Sequence, residues 1–194
     1  MKKFTTPNST AFLSTISPKN FAYVFMGELN EENYNDFIIE RYGGVQKTGN
    51  KSSLLHYKTF DWVNNDYKIE LKSRNNDFNV YNTTMIGFNK VKEWKEDKTN
   101  RKYIFLFAYL DGLYEWELNK ENYQKIGGDN SIKKNSFSQK STAFGPSPLA
   151  YSTFNENKEH LYIPIKDLKK ISDKSCLVPD ELLCKSIKNN GCLI

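Results

Sequence analysis

"DYKIELKSRN", residues 66–75, alternates without a break. Tyr67, Ile69 and Leu71 fall on one side; Lys68, Glu70, Lys72 and Arg74 fall on the other. That period of two predicts a β-strand with one apolar face. The charged face reads either as the solvated side of an edge strand or as a row of working side chains. The flanking segments bear on that choice.

Just upstream, "SSLLHYKTFDWV" at 52–63 is rich in aromatic and apolar residues and predicts a strand. "NND" at 64–66 is a turn signal, so the two strands make a hairpin. Before them, "NEENYNDFIIERYGG" at 30–44 reads as a helix. Asn30 would cap it, Glu31 and Glu32 suit its first turn, and Tyr34, Phe37, Ile38 and Tyr42 form an apolar stripe. Gly43 and Gly44 stop it. Residues 1–20 read as irregular, and "NFAYVFMGEL" at 20–29 as a short strand or helix.

Downstream, "TTMIGFNKVKEWKED" at 83–97 predicts a second helix with Met85, Phe88, Val91 and Trp94 on its apolar side. "KYIFLFAYL" at 102–110 is continuously apolar, as in a strand covered on both faces. "DG" at 111–112 turns the chain into "LYEWEL", a hairpin partner. Residues 119–158 are polar with little periodicity. "HLYIPI" at 160–165 reads as a short strand, "KDLKKI" as a helix-like turn, and "VPDELLCKSIKN" at 178–189 as a terminal helix opened by Pro179. Helices between strands imply a sheet with helices packed on it.

Bulk composition narrows the function classes. The chain has 194 residues, enough for one domain with a real core. Its aromatic content of 14% argues against a disordered chain. Mean hydropathy is -0.69, and no apolar run approaches the roughly 20 residues of a membrane helix. The N-terminal stretch lacks the apolar centre of a secretory signal, which predicts a soluble, intracellular protein without a membrane partner. A net charge of +5 suits a polyanionic partner or ordinary surface lysine equally. The 3 cysteines, Cys176, Cys184 and Cys192, form an odd count and predict reduced thiols. His56 and His160 lie far from them in sequence, which argues against a zinc site.

If 102–110 is a central strand, its neighbours are partly covered too. A row of Lys, Glu, Lys and Arg beside it would carry a desolvation cost unless it lined a cleft with ionic contents. Asp61 supplies the next piece, because a tight hairpin sets it close to Glu70. A divalent cation relieves the repulsion of two approaching carboxylates, and Mg²⁺ is commonly held by one or two of them. Lys72, two residues from Glu70 on the same face, would place an ammonium beside that cation to orient or deprotonate water. Asp61, Glu70 and Lys72 together are a chemically complete set for phosphodiester hydrolysis. The plainer reading of Asp61 is a strand-end residue capping a turn.

"FDWVNNDYKIELKS" resembles the core motif of the PD-(D/E)XK nuclease superfamily, including members from phages and large DNA viruses. Phe60 stands where the proline that names the motif would be. The resemblance covers about residues 30–118 and implies an α/β, restriction endonuclease-like αβββαβ core. That core is a central mixed sheet flanked by helices, with a less regular C-terminal extension over 119–194. It implies Asp61 and Glu70 as Mg²⁺ ligands, Mn²⁺ as a substitute, and Lys72 as the catalytic lysine. It also implies a helix glutamate as a further metal ligand, with Glu32 favoured over Glu31 and Glu40, although first-turn acids complementing the helix dipole explain these residues equally. Lys90 would touch phosphate, against the plainer reading of a solvated helix lysine. Arg74 is a candidate phosphate contact and equally a surface charge. His56 reads as a packed or surface residue, and Trp62, Trp94 and Trp116 as packing residues. Lys120, Lys125, Lys133, Lys134 and Lys140 form either a nucleic-acid arm or a solvated loop.

The expected function is a Mg²⁺-dependent DNA nuclease of genome processing, repair, recombination or restriction. An inactive nuclease-fold scaffold that binds nucleic acid or protein is the alternative, and an RNA-directed nuclease a third. A homodimer or a larger nucleic-acid machine fits either assembly.

Overall fold

The run at 102–110 can bury both faces only if a layer covers each side of its sheet. The computed structural model, which describes residues 18–48, 60–136 and 157–178, has those two layers. In chain order the elements are α1 (Pro18–Arg41), β1 (Gln46–Lys47), β2 (Trp62–Val63), β3 (Tyr67–Ser73) and β4 (Thr83–Gly87). Then come α2 (Phe88–Glu96), β5 (Lys102–Tyr109), β6 (Gly112–Leu118), α3 (Lys120–Lys125), β7 (Ile132–Ser136), β8 (Asn157–Pro164) and β9 (Lys169–Ser172). The fold is mixed α/β with few helices.

The main sheet has the order β1-β2-β3-β5-β6-β9, and β4-β8-β7 make a second, antiparallel sheet. Within the main sheet β3 and β5 run parallel, from Tyr67 opposite Lys102 to Ser73 opposite Ala108. The other pairings are antiparallel. A parallel pair needs a crossover, and β4 with α2 supplies it.

Alternation sorts the two layers. Ile69, Leu71, Ile104, Leu106, Ala108 and Leu113 pack on Tyr34 and Ile38 of α1 and on Tyr42 just after it. Tyr103, Phe105, Phe107, Tyr114 and Trp116 point the opposite way, onto Val91 of α2 and onto Ile86, Leu161 and Ile163 of the second sheet. From Tyr103 to Tyr109 every residue of β5 is buried, as the apolar run predicts. Trp62 and Trp116 are buried, and Trp94 packs partly buried against Tyr123, so the tryptophans serve packing.

Several sequence expectations change in the structure. Helix α1 extends well upstream of Asn30, so Asn30 does not cap it. Its buried amide instead donates to the Met26 carbonyl at 2.8 Å and the Leu177 carbonyl at 2.7 Å, and accepts the Leu177 N–H at 2.7 Å. Glu31 and Glu32 are therefore mid-helix residues. The Gly43–Gly44 stop stands, with φ of 66° and 76° that favour glycine.

The predicted second helix is divided. Thr83–Gly87 is strand β4 and pairs with β8, while the helix occupies only Phe88–Glu96. Two threonines and Ile86 are stiff at χ1 and suit a pleated strand, and Ile86 seats between the sheets. "KDLKKI" forms a 3₁₀ turn at Ile165–Asp167 and then strand β9 beside β6. The polar region after 119 contains α3, capped by the Asn119 side chain accepting the Asn122 N–H, and then β7. Most of the strand expected at 52–63, His56 and nearly all of the helix expected at 178–189 lie outside the described residues. Among the described residues no helix is long and apolar enough to cross a membrane.

Candidate active site

Strand β3 positions the charged row. With Ile69 and Leu71 drawn into the α1 layer, Lys68, Glu70, Lys72 and Arg74 must face α2 and the second sheet. The β2–β3 register, Trp62 opposite Ile69 and Val63 opposite Lys68, ends one residue short of Asp61, which lies in a bend just before β2. Asp61 Oδ2 accepts the Leu71 N–H at 2.8 Å, and the Asp61 carbonyl accepts the Thr48 N–H at 2.9 Å. The aspartate is thereby fixed to the edge of β3 by side chain and to the residue after β1 by backbone.

Glu70 is buried at its centre. Lys72 Nζ donates to Glu70 Oε1 at 2.5 Å, and Lys90 Nζ lies 2.9 Å from Oε2. The second contact is a close ion pair rather than a well-directed hydrogen bond. Burial alone would raise the Glu70 carboxyl, but the charges of Lys72 and Lys90 outweigh it and hold the group below the usual carboxylate range. The two lysines differ in their surroundings. The Lys72 side chain is 34% exposed, whereas Lys90 is 6% exposed and its ammonium sits 4.4 Å from the Phe60 ring centroid.

Lys68 belongs to a separate cluster on the same face. Its ammonium reaches Glu93 at 2.8 Å, Asp97 at 3.0 Å and the Tyr103 hydroxyl at 2.9 Å. Tyr103 in turn donates to Asp97 Oδ2 at 2.5 Å. Burial would lower Lys68, yet these bonds raise it, and the Tyr103 bond leads in holding Asp97 well below the usual range. Thus β3 and α2 are joined by crossed ion pairs, Lys68 to Glu93 and Glu70 to Lys90. The sequence did not single out Glu93, Asp97 or Tyr103. Their only signal there is Glu93 three residues after Lys90, on the same helix face.

Arg74 points into the molecule. Its guanidinium donates to the Met85 carbonyl at 2.8 Å and Thr84 Oγ1 at 3.2 Å, and lies over Phe107. Burial lowers its pKa. It joins β3 to β4, an arrangement that neither of its sequence readings included. Glu32 is 49% exposed and pairs with Lys47 at 2.7 Å, while its neighbour Glu31 is buried. The structure does not gather Glu32 with Asp61 and Glu70: among the described residues no three His, Cys, Asp or Glu side chains group to hold a metal. Of the lysines after 119, Lys125 pairs with Asp167 at 2.6 Å and Lys133 lies over Tyr162.

The arrangement therefore brings together Glu70, Lys72 and Lys90, fixes Asp61 to the neighbouring Leu71 N–H, and leaves Glu32 and Arg74 in other settings. No protein-family model matches the chain, and no curated protein matches it.

Proposed function

We propose that the protein is a Mg²⁺-dependent phosphodiesterase acting on DNA, on the restriction endonuclease-like core that its motif resembles. One observation carries this reading: a buried Glu70 flanked by Lys72 and Lys90, with the Asp61 carboxylate bonded to the N–H of the next residue, Leu71. The order α1, β1, β2, β3, α2, β5, with β3 parallel to β5, also runs in the αβββαβ sense, with β4 inserted before the second helix.

The donor set fits the ion. Carboxylate oxygens are the hard ligands Mg²⁺ prefers, and one or two of them suffice when water and substrate oxygens complete the shell. Asp61 and Glu70 would hold it, and Mn²⁺ would substitute. Bound there, the ion would supply Lewis-acid stabilisation of phosphate charge. Lys72, the more exposed lysine, would position the attacking water and stabilise charge on the phosphate through its ammonium. Lys90 would meet phosphate charge from the helix side.

The test is cleavage of plasmid, linear and branched DNA with Mg²⁺ or Mn²⁺ by wild type, Glu70→Ala and Lys72→Ala. The expected result is loss of cleavage in both variants; activity surviving both changes sinks the assignment. RNA as competitor addresses the RNA-directed version.

One observation favours a second reading, an inactive nuclease-fold subunit that binds nucleic acid or protein. Both Glu70 oxygens are engaged by lysines, and no third acid stands with Asp61 and Glu70 among the described residues. Such a closed cluster serves as well to anchor α2 on the sheet. Calorimetric titration with Mn²⁺ separates the two, because the scaffold predicts no binding that depends on Glu70.

A further inference from the structure

We infer that a hollow between the β2–β3 turn and the start of β5 is a phosphate subsite, which holds the backbone of a DNA strand running past Glu70. This rests on the reading of the α2 side of β3 as the face that receives DNA.

The hollow has a volume of about 400 Å³ and is lined by Gly44, Gln46, Val63, Asn64, Asn65 and Arg101. Its place follows from the register. Gln46 stands opposite Val63, and Val63 opposite Lys68. Residues paired directly across two strands share a face. Val63 packs on the α2-side core, and Lys68 reaches Glu93 of α2. The hollow therefore lies at the hairpin end of the face that carries Glu70 and Lys72. Lys68 is two residues from Glu70, about 7 Å at the rise of a strand. A DNA strand carries one phosphate per about 3.4 Å of axis, so a backbone lying at Glu70 brings another phosphate to the hollow within a few nucleotides.

The lining suits an anion. No acidic side chain contributes to it. Arg41 is paired with Glu115, and Arg74 is spent on Met85 and Thr84. Among the described residues the Arg101 guanidinium has no such partner. Asp97, close to it in sequence, is committed to Lys68 and Tyr103. A guanidinium offers a planar fork of donors that matches phosphate oxygens. Gln46 and Asn65 add exposed amides without a hydrogen bond among the described residues. Asn64 has a different part. Its Oδ1 accepts the Asp66 and Tyr67 N–H groups at 2.8 and 2.7 Å, which holds the turn that presents Asn65. At Gly44 a Cβ would meet nothing within 4 Å, so that wall is open to a ligand.

The experiment is fluorescence anisotropy of a short labelled DNA duplex in EDTA, across a range of salt concentrations. It compares wild type, Arg101→Met, Lys169→Met and Asn65→Ala, with circular dichroism to check folding. Lys169→Met removes an exposed charge on β9, away from the hollow. Loss of one phosphate contact is expected to flatten the slope of log affinity against log salt by about 0.9, a loss of about eightfold at 0.1 M salt. Arg101→Met is expected to show both effects, and Lys169→Met neither. Asn65→Ala is expected to bind more weakly at an unchanged slope, because a neutral donor releases no counterion. The inference is overturned, and the nuclease reading left standing, if wild type binds DNA and Arg101→Met matches it or loses no more than Lys169→Met. Should Arg101→Met not fold, Asn65→Ala decides, and affinity equal to wild type overturns the inference. Absence of DNA binding by wild type at low salt removes the underlying reading as well.

Discussion

At the scale of single residues, Glu70 sets the energetics of the site. A carboxylate this deeply buried is tolerated because two ammonium groups face it, and removing it takes a close counter-charge from the buried Lys90. Breaking one side of a buried pair costs about 3–5 kcal/mol. Glu70→Ala is accordingly expected to lose stability on that scale, read as a lower urea midpoint at unchanged slope. Glu70→Gln, which keeps the shape and a hydrogen-bond acceptor, is expected to lose less. Of the predicted site residues, Glu70 and Lys72 were the most legible. Strict alternation places them on one face whatever the rest of the chain does. Glu32 was less legible, because its helix extends upstream past the presumed cap, and on a continuous helix only packing decides which of two adjacent acids turns inward.

The same logic at the scale of elements concerns the joint between β3 and α2. In the folded protein Asp97 is held below its ordinary pKa, chiefly by Tyr103 and also by the Thr99 N–H and Lys68. A depressed carboxylate contributes stability above its unfolded pKa, about 3.9, and loses it as pH falls through the folded value. Asp97→Asn is therefore expected to be less stable at neutral pH and to show a flatter decline below about pH 4 in chemical denaturation across pH. The β6–β9 pairing has a backbone constraint of its own. Gly112 has φ of 148°, and a Cβ there would stand 2.7 Å from the Ser172 carbonyl oxygen. Gly112→Ala is expected to destabilise by more than about 1 kcal/mol and to speed amide exchange in β9, measured by hydrogen–deuterium exchange. "DG" thus announced the turn, whereas the close approach of β9 became visible only with the fold.

Across the whole molecule, Arg74 ties the two sheets together. β4 lies at the edge of its sheet, and Arg74 satisfies its outward Met85 carbonyl. Arg74→Met keeps most of the apolar contact with Phe107 but leaves that carbonyl without its donor. The expected cost is about 1–3 kcal/mol, with faster exchange concentrated in β4 and β8. The sequence by itself determined the local patterns: the alternation of β3, the apolar run of β5, both hairpins and the Gly-Gly end of α1. Each is written in neighbouring residues, through side-chain period and backbone freedom, and needs no distant partner. Only the tertiary structure decided that Thr83–Gly87 is a strand, that Lys169–Ser172 joins the main sheet, that Arg74 turns inward and that Lys90 meets Glu70. These depend on partners that the chain brings together from far apart, as β4 needs β8 and β9 needs β6. A short segment with mixed propensity takes the conformation whose backbone and charges such partners satisfy, and nothing within the segment names them.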